Sequence, residues 1–146
     1  MKNWIFTLLS LVFTFTSSAS IAEQNRSDNQ QWMVLNYWSV NCAPCRIEIP
    51  ELNKLFKELK AENIRLVGIN FDEDTRERTV MLAEKIGIEF PTLKQEQVNA
   101  LRVSSPHVLP TTVILSPNGV EKGRLIGAQT KDSIKAMLGQ LIGVTQ

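Results

Sequence analysis

Trp38-Ser39-Val40-Asn41-Cys42-Ala43-Pro44-Cys45-Arg46 is the stretch on which the reading of this chain turns. It holds both cysteines of the sequence, separated by Ala43 and Pro44 in a C-x-x-C. The apolar run Met33 to Trp38 precedes it and a helical pattern follows it. Strand, C-x-x-C, helix is an arrangement that makes a reactive dithiol. The N-terminus of a helix offers unpaired N–H groups and partial positive charge, which favour a thiolate over a thiol. Cys42 falls at that end and is the expected low-pKa nucleophile. Cys45, one turn further in, is placed to attack a mixed disulfide formed on Cys42. Pro44 suits the first helical turn, where its missing N–H costs nothing.

Two other uses of the cysteines fit less well. Structural zinc wants four ligands, and the chain offers no further cysteine and a single histidine, His107. A purely structural disulfide closing so short a loop would add little stability. No metal and no organic cofactor is expected; a redox-active Cys42–Cys45 disulfide is.

At 146 residues, with 43% hydrophobic content, the chain reads as one domain with at most a leader. The formal charge is +1 and no basic patch is interleaved with aromatics, so nucleic acid is not an expected partner. Residues 1–22 read as a signal peptide. Lys2 is the basic start, Ile5 to Phe15 is apolar yet short for a membrane span, and Ser20-Ile21-Ala22 offers small residues for cleavage near Ala22. The alternative is an N-terminal membrane anchor. Export would place the dithiol in an oxidising compartment, expected to be the periplasm. Residues 23–31 are polar and read as a flexible lead-in to a domain over 32–146.

Within that domain, Met33 to Trp38 reads as a buried strand. Ile49, Leu52, Phe56 and Leu59 then recur at helical spacing to about Ala61, with Pro50 an expected kink. Arg65 to Phe71 reads as a second strand. Thr79 to Ile86 follows as a helix with Val80, Ala83 and Ile86 on one face, with Asp74 or Thr75 as its cap and Gly87 as its stop. Glu89 to Leu93 is extended, and Gln95 to Leu101 is a short helix. Thr111 to Leu115, the Ser116-Pro117-Asn118-Gly119 turn and Glu121 to Ile126 form a hairpin. Lys131 to Ile142 is a last helix capped by Thr130. This order predicts an α/β fold, a mixed central sheet with helices on both faces.

Four features together resemble thioredoxin-fold proteins of the TlpA/ResA/DsbE type. Trp38 stands just upstream of Cys42. Cys42-Ala43-Pro44-Cys45 leads into Glu48 and Pro50, like C-x-P-C-x-x-E-x-P. Leu109-Pro110-Thr111-Thr112 resembles the segment carrying a cis-proline. Ser116 to Gly119 resembles the turn that follows. The match covers Val34 to Ile142, and Thr79 to Leu93 resembles the central insertion, an extra helix and strand. Asn41 stands where the family usually has Trp, and Asn36 where plain thioredoxins carry a buried Asp.

The resemblance implies an exported, monomeric thiol–disulfide oxidoreductase that reduces protein disulfides and is recharged by a membrane thiol reductase. Apocytochromes c are among the substrates it suggests. An oxidant, or a non-catalytic binding or chaperone module on the same fold, is the alternative. Pro110 is expected to be cis and beside the dithiol, leaving the Leu109 backbone free to pair with an extended substrate. Trp38 is expected to be both core and wall of the site. Glu48, three residues beyond Cys45, is expected at an exposed helix position on the same side, where its charge would raise the pKa of the thiol pair or shuttle its proton. His107 is a candidate for stabilising the Cys42 thiolate when charged. The other reading makes it an idle loop histidine.

Overall fold

Three strands whose residues are apolar on both faces need cover on both sides, and the chain supplies it unevenly. In the computed structural model, residues 31–143 are described. The expected signal peptide over 1–22 and nearly all of the lead-in over 23–31 lie outside the described residues. The elements run β1 (Met33–Trp38), α1 (Ala43–Ala61), β2 (Arg65–Asn70), α2 (Arg76–Lys85), α3 (Gln95–Ala100), β3 (Thr111–Leu115), β4 (Glu121–Ile126) and α4 (Lys131–Gly143). The sheet order is β2-β1-β3-β4, with β1 parallel to β2 and antiparallel to β3, and β3 antiparallel to β4. This is the mixed α/β sheet of the thioredoxin fold.

The period-2 alternation of strands divides the core. Val34, Leu66 and Ile114 face one way and pack with Leu52, Leu55 and Leu59 of α1 and Ile134 and Leu138 of α4. Each such fully buried leucine is worth about 1.5–3 kcal/mol relative to exposure. Leu35, Tyr37, Val67, Ile69, Val113 and Leu115 face the other way. Their cover is Val98 of the short α3 and the loop residues Leu93, Leu101, Val103 and Leu109.

Local signals fix the ends. Thr75 is the cap of α2, accepting from the Arg78 N–H, and Gly87 takes φ +81° just beyond its end. The Thr130 and Ser133 side chains cap each other's backbone N–H at the start of α4. The inward face of α2 is Thr79, Leu82 and Ala83 with Ile86 beside them, one residue round from the expected Val80 stripe. Helix α1 continues through Pro50. The extended segment 89–93 makes one parallel bridge, Thr92 to Gly68. It is held by Gly68 N–H to Pro91 C=O and Leu93 N–H to Gly68 C=O. Gly68 is required there: a Cβ would lie 2.8 Å from Trp38 Nε1 and 3.2 Å from both Phe90 and Thr92.

Candidate active site

β1 ends in the fully buried Trp38, and the turn after it is tied down before α1 begins. Ser39 Oγ donates to Asp72 Oδ2 at 2.7 Å and accepts from the Asn41 N–H at 3.1 Å. Its carbonyl accepts from the Cys42 N–H at 3.2 Å, and Arg46 Nη1 donates to the Val40 carbonyl at 2.6 Å. Asp72, exposed on the turn after β2, is therefore a brace for the motif loop.

Cys42 is the N-cap of α1, its sulfur accepting from the Cys45 N–H at 3.2 Å. The two cysteines are joined by a disulfide, the oxidised form of the pair. Cys45 is fully buried, while Cys42 is half-buried between the exposed Asn41 and Ala43. Pro44 is exposed in the first turn. Only one sulfur is thus open to a large partner, and it is the one at the helix end.

Trp38, Cys45, Leu82 and Ala83 form one buried cluster, and Val40, Ile86, Ile88 and Leu109 pack against it. Leu109 thereby joins the cluster of Trp38 and Cys45 from the loop before β3. The Leu109–Pro110 bond is cis, Pro110 is buried, and its carbonyl accepts from the Gly127 N–H at 2.9 Å. The β4–α4 turn is in this way fastened beside the cis-proline.

Glu48 corrects the sequence reading. It is 2% exposed, not a surface residue. Asn36 Nδ2 donates to its Oε1 at 2.7 Å, and the Gln129 N–H donates to its Oε2 at 2.8 Å. The reason is periodicity: Glu48 shares a face with Cys45, Ile49, Leu52 and Leu55, all turned to the sheet. Burial pushes the Glu48 carboxyl above the ordinary range, and the donors from Gln129 and then Asn36 pull part of the way back.

Residues 12–121, well over half of the chain, match the model of the AhpC/TSA family. The chain belongs to the AhpC/TSA family. It is similar to the thiol-disulfide oxidoreductase ResA of Geobacillus thermodenitrificans, 31% identical over 104 residues, which are 71% of this chain and 59% of that protein. It is 34% identical over 110 residues to the thioredoxin-like protein YneN of Bacillus subtilis, covering 73% and 62%. The chain spans about three fifths of the length of these curated relatives. The crystal structure of StoA from Bacillus subtilis has the same fold, with TM-score 0.62 and 20% identity over 75% of this chain and 83% of that one. So has a putative DsbE from Chlorobium tepidum, with TM-score 0.61 and 24% identity over 81% and 82%.

Within this AhpC/TSA domain the expected residues divide. Cys42, Cys45, Trp38 and Leu109 share one cluster, with Pro44 and Pro110 adjoining it in the chain, and Glu48 lies one turn beyond Cys45. His107 is exposed on the 104–107 loop, and the hollows it borders are lined by residues such as Tyr37, Ser105 and Arg124, with neither cysteine among them. Two groups of the network around Asn36 and Glu48 were not singled out as site residues from the sequence. Thr112 arrives by strand register, and Gln129 acts through its backbone N–H, which any residue could supply.

The buried carboxyl has a consequence for stability. A carboxyl whose folded pKa is raised binds its proton more tightly in the folded state. That contribution is fully present below the unfolded pKa and is lost as pH rises through the folded one. Glu48→Gln carries no such dependence. Its stability relative to wild type is expected to be more favourable at about pH 7 than at about pH 4, as urea unfolding at both values would read. A difference that does not change with pH would mean that Glu48 ionises in the fold as it does in the open chain.

Proposed function

We propose that this chain is an exported thiol–disulfide oxidoreductase that reduces protein disulfides. The observation that carries the reading is the asymmetry of the dithiol: a half-buried Cys42 capping α1 and a fully buried Cys45 behind it. In the reduced form the Cys42 thiolate attacks a substrate disulfide, one substrate sulfur leaves as thiolate, and a mixed disulfide forms. Cys45 then attacks the Cys42 sulfur, the second substrate sulfur leaves, and the intramolecular disulfide returns. The Cys45 proton passes to Glu48, the buried base one turn away. Leu109, with Pro110 behind it, offers backbone for an extended substrate segment.

The sequence features support the remaining parts of the reading. A leader over 1–22 cleaved near Ala22 would deliver residues 32–146 as a monomeric domain to the periplasm. A membrane thiol reductase would recharge Cys42 and Cys45, and disulfides of apocytochromes c are a substrate class the resemblance suggests. No cofactor beyond the disulfide is invoked.

Insulin reduction with dithiothreitol as donor, with Cys42→Ser as control, tests the activity. In the reduced protein Cys42 is expected to be alkylated at least about tenfold faster than Cys45 near neutral pH, since only the first is exposed and at a helix end. Equal rates, or a faster Cys45, would overturn the assignment of roles. The reduction potential of the pair, measured against glutathione, separates a reductant from an oxidant.

A further inference from the structure

The side-chain amide of Asn36 has one end fully engaged and the other empty. Asn36 is 1% exposed, and its register partner on β3 is Thr112. Its Nδ2 donates to Glu48 Oε1 at 2.7 Å and to Thr112 Oγ1 at 3.3 Å, while its buried Oδ1 has no hydrogen-bond partner. An orphaned buried carbonyl is costly, so something must hold the amide this way round. Ionised Glu48 does so. A carboxylate is acceptor only, and a carbonyl oxygen turned toward it would meet another oxygen without a proton between them.

Once Glu48 carries a proton, the opposite orientation keeps the paired end paired and leaves Nδ2, instead of Oδ1, at the end without a partner. The acid O–H is then a donor, and the Thr112 hydroxyl donates as readily as it accepts. Turning the amide over points Oδ1 at both, and its two lone pairs accept from Glu48 Oε1–H and Thr112 Oγ1–H. Amide oxygen and nitrogen are nearly the same size, so the packing around Asn36 is unchanged. In both orientations the end of the amide that faces Glu48 and Thr112 is fully paired.

We infer that Asn36 is a positioning residue for the proton on Glu48, presenting Nδ2 to the carboxylate and Oδ1 to the acid by reversal of its amide. The inference rests on the proposed dithiol cycle. In the resolving step the Cys45 S–H bond breaks and its proton goes to Glu48 Oε1. The Cys45 sulfur bonds to the Cys42 sulfur, and the substrate sulfur leaves Cys42 with the electron pair. Asn36 gains and loses nothing; it removes the donor–donor clash that would otherwise meet the new O–H.

Other charges near Glu48 are engaged elsewhere or face away. On α1 and α4, Glu51 and Glu58 accept from Lys54, Lys131 and Lys135 at the surface. Glu62 takes a further bond from Lys135. The charged residues of α2 are exposed, Arg124 of β4 pairs with Glu121, and Tyr37 of β1 belongs to the opposite face. Among the described residues, the titrating group left on the buried face of α1 that Glu48 shares is the thiol of reduced Cys45, one turn away.

The test is an NMR titration of the isotope-labelled full chain, oxidised and reduced, from about pH 4 to pH 8. The Asn36 side-chain amide resonances are expected to shift with the same midpoint as the Glu48 carboxyl carbon, and to lose that response in Glu48→Gln. An Asn36 amide that stays put while Glu48 titrates would overturn the inference, whatever the enzymology. A second arm uses Asn36→Leu and Asn36→Asp with a preformed mixed disulfide on Cys42. Resolution in Asn36→Leu near neutral pH is expected to slow on the order of tenfold, less than the roughly hundredfold loss of a general base itself. Its pH profile is expected to be displaced, with Cys42 alkylation unchanged. Wild-type resolution in both variants at every pH would also overturn the inference. Failure of the wild-type protein to form or resolve any mixed disulfide would instead sink the oxidoreductase reading, and leaves the NMR result to decide the amide reversal alone.

Discussion

Replacing Cys45 with serine is expected to turn a catalyst into a trap. Cys42 keeps its place at the cap of α1, only half-buried, so attack on a substrate disulfide is expected to proceed. The second sulfur is gone, and the mixed disulfide has nothing internal to displace it. Turnover in insulin reduction should fall by a factor on the order of a thousand or more, as for loss of a residue acting within a unit. Covalent adducts through Cys42 should accumulate to near stoichiometry. Mass spectrometry under non-reducing conditions reads both sulfur and partner. Cys42→Ser should give neither turnover nor adduct. Adducts on Cys45 in that variant, or wild-type turnover in Cys45→Ser, would reverse the order of the two thiols.

The largest effect expected on stability comes from a residue with no side chain. Gly68 lies in β2 opposite Asn36, with the Trp38 indole nitrogen, Phe90 and Thr92 closed around the place of its missing Cβ. The indole is fully buried and cannot swing out to solvent. Gly68→Val therefore forces Trp38 and the bridged 91–93 segment apart, and a cost of about 3 kcal/mol, the upper end for overpacking, is expected. Urea unfolding measures it. The displacement has a chemical reading too, because Trp38 and Cys45 share one buried cluster: alkylation of reduced Cys45 should accelerate in the variant. Stability within about 0.5 kcal/mol of wild type would mean that the strand edge yields more easily than its contacts suggest.

Much of this was legible in the chain, for identifiable reasons. The dithiol, the strand before it and the helix after it are local: cap, Pro44 and apolar spacing all fall within a few residues of one another. The hairpin at Ser116 to Gly119 and the cap at Thr75 are local as well. Glu48 was singled out from the sequence and misjudged in its setting. Its charge argued for solvent, while its position on the Cys45, Ile49 and Leu52 face argued for the core, and the face decided. The face of α2 slipped by a residue because Thr79, a polar residue, is the buried one, with its hydroxyl occupied by Asn70 and the Asp74 carbonyl. Gln129 was illegible because a backbone N–H has no signature in a side-chain code. His107 was singled out for the charge it could bring to the Cys42 thiolate, and charge chemistry carries no information about place.

The bond from the Gln129 N–H to Glu48 spans a separation of 81 residues, and the register that brings Thr112 to Asn36 spans 76. At about 5–20 residues per second, synthesis of that interval takes roughly 4 to 16 seconds. Throughout it Cys42 and Cys45 already exist, as two ordinary thiols on a growing chain, with Glu48 still in water. Their identities are set early and their reactivity late. A nascent chain halted short of residue 129 carries both cysteines while one of the two donors that hold the Glu48 carboxyl is still missing.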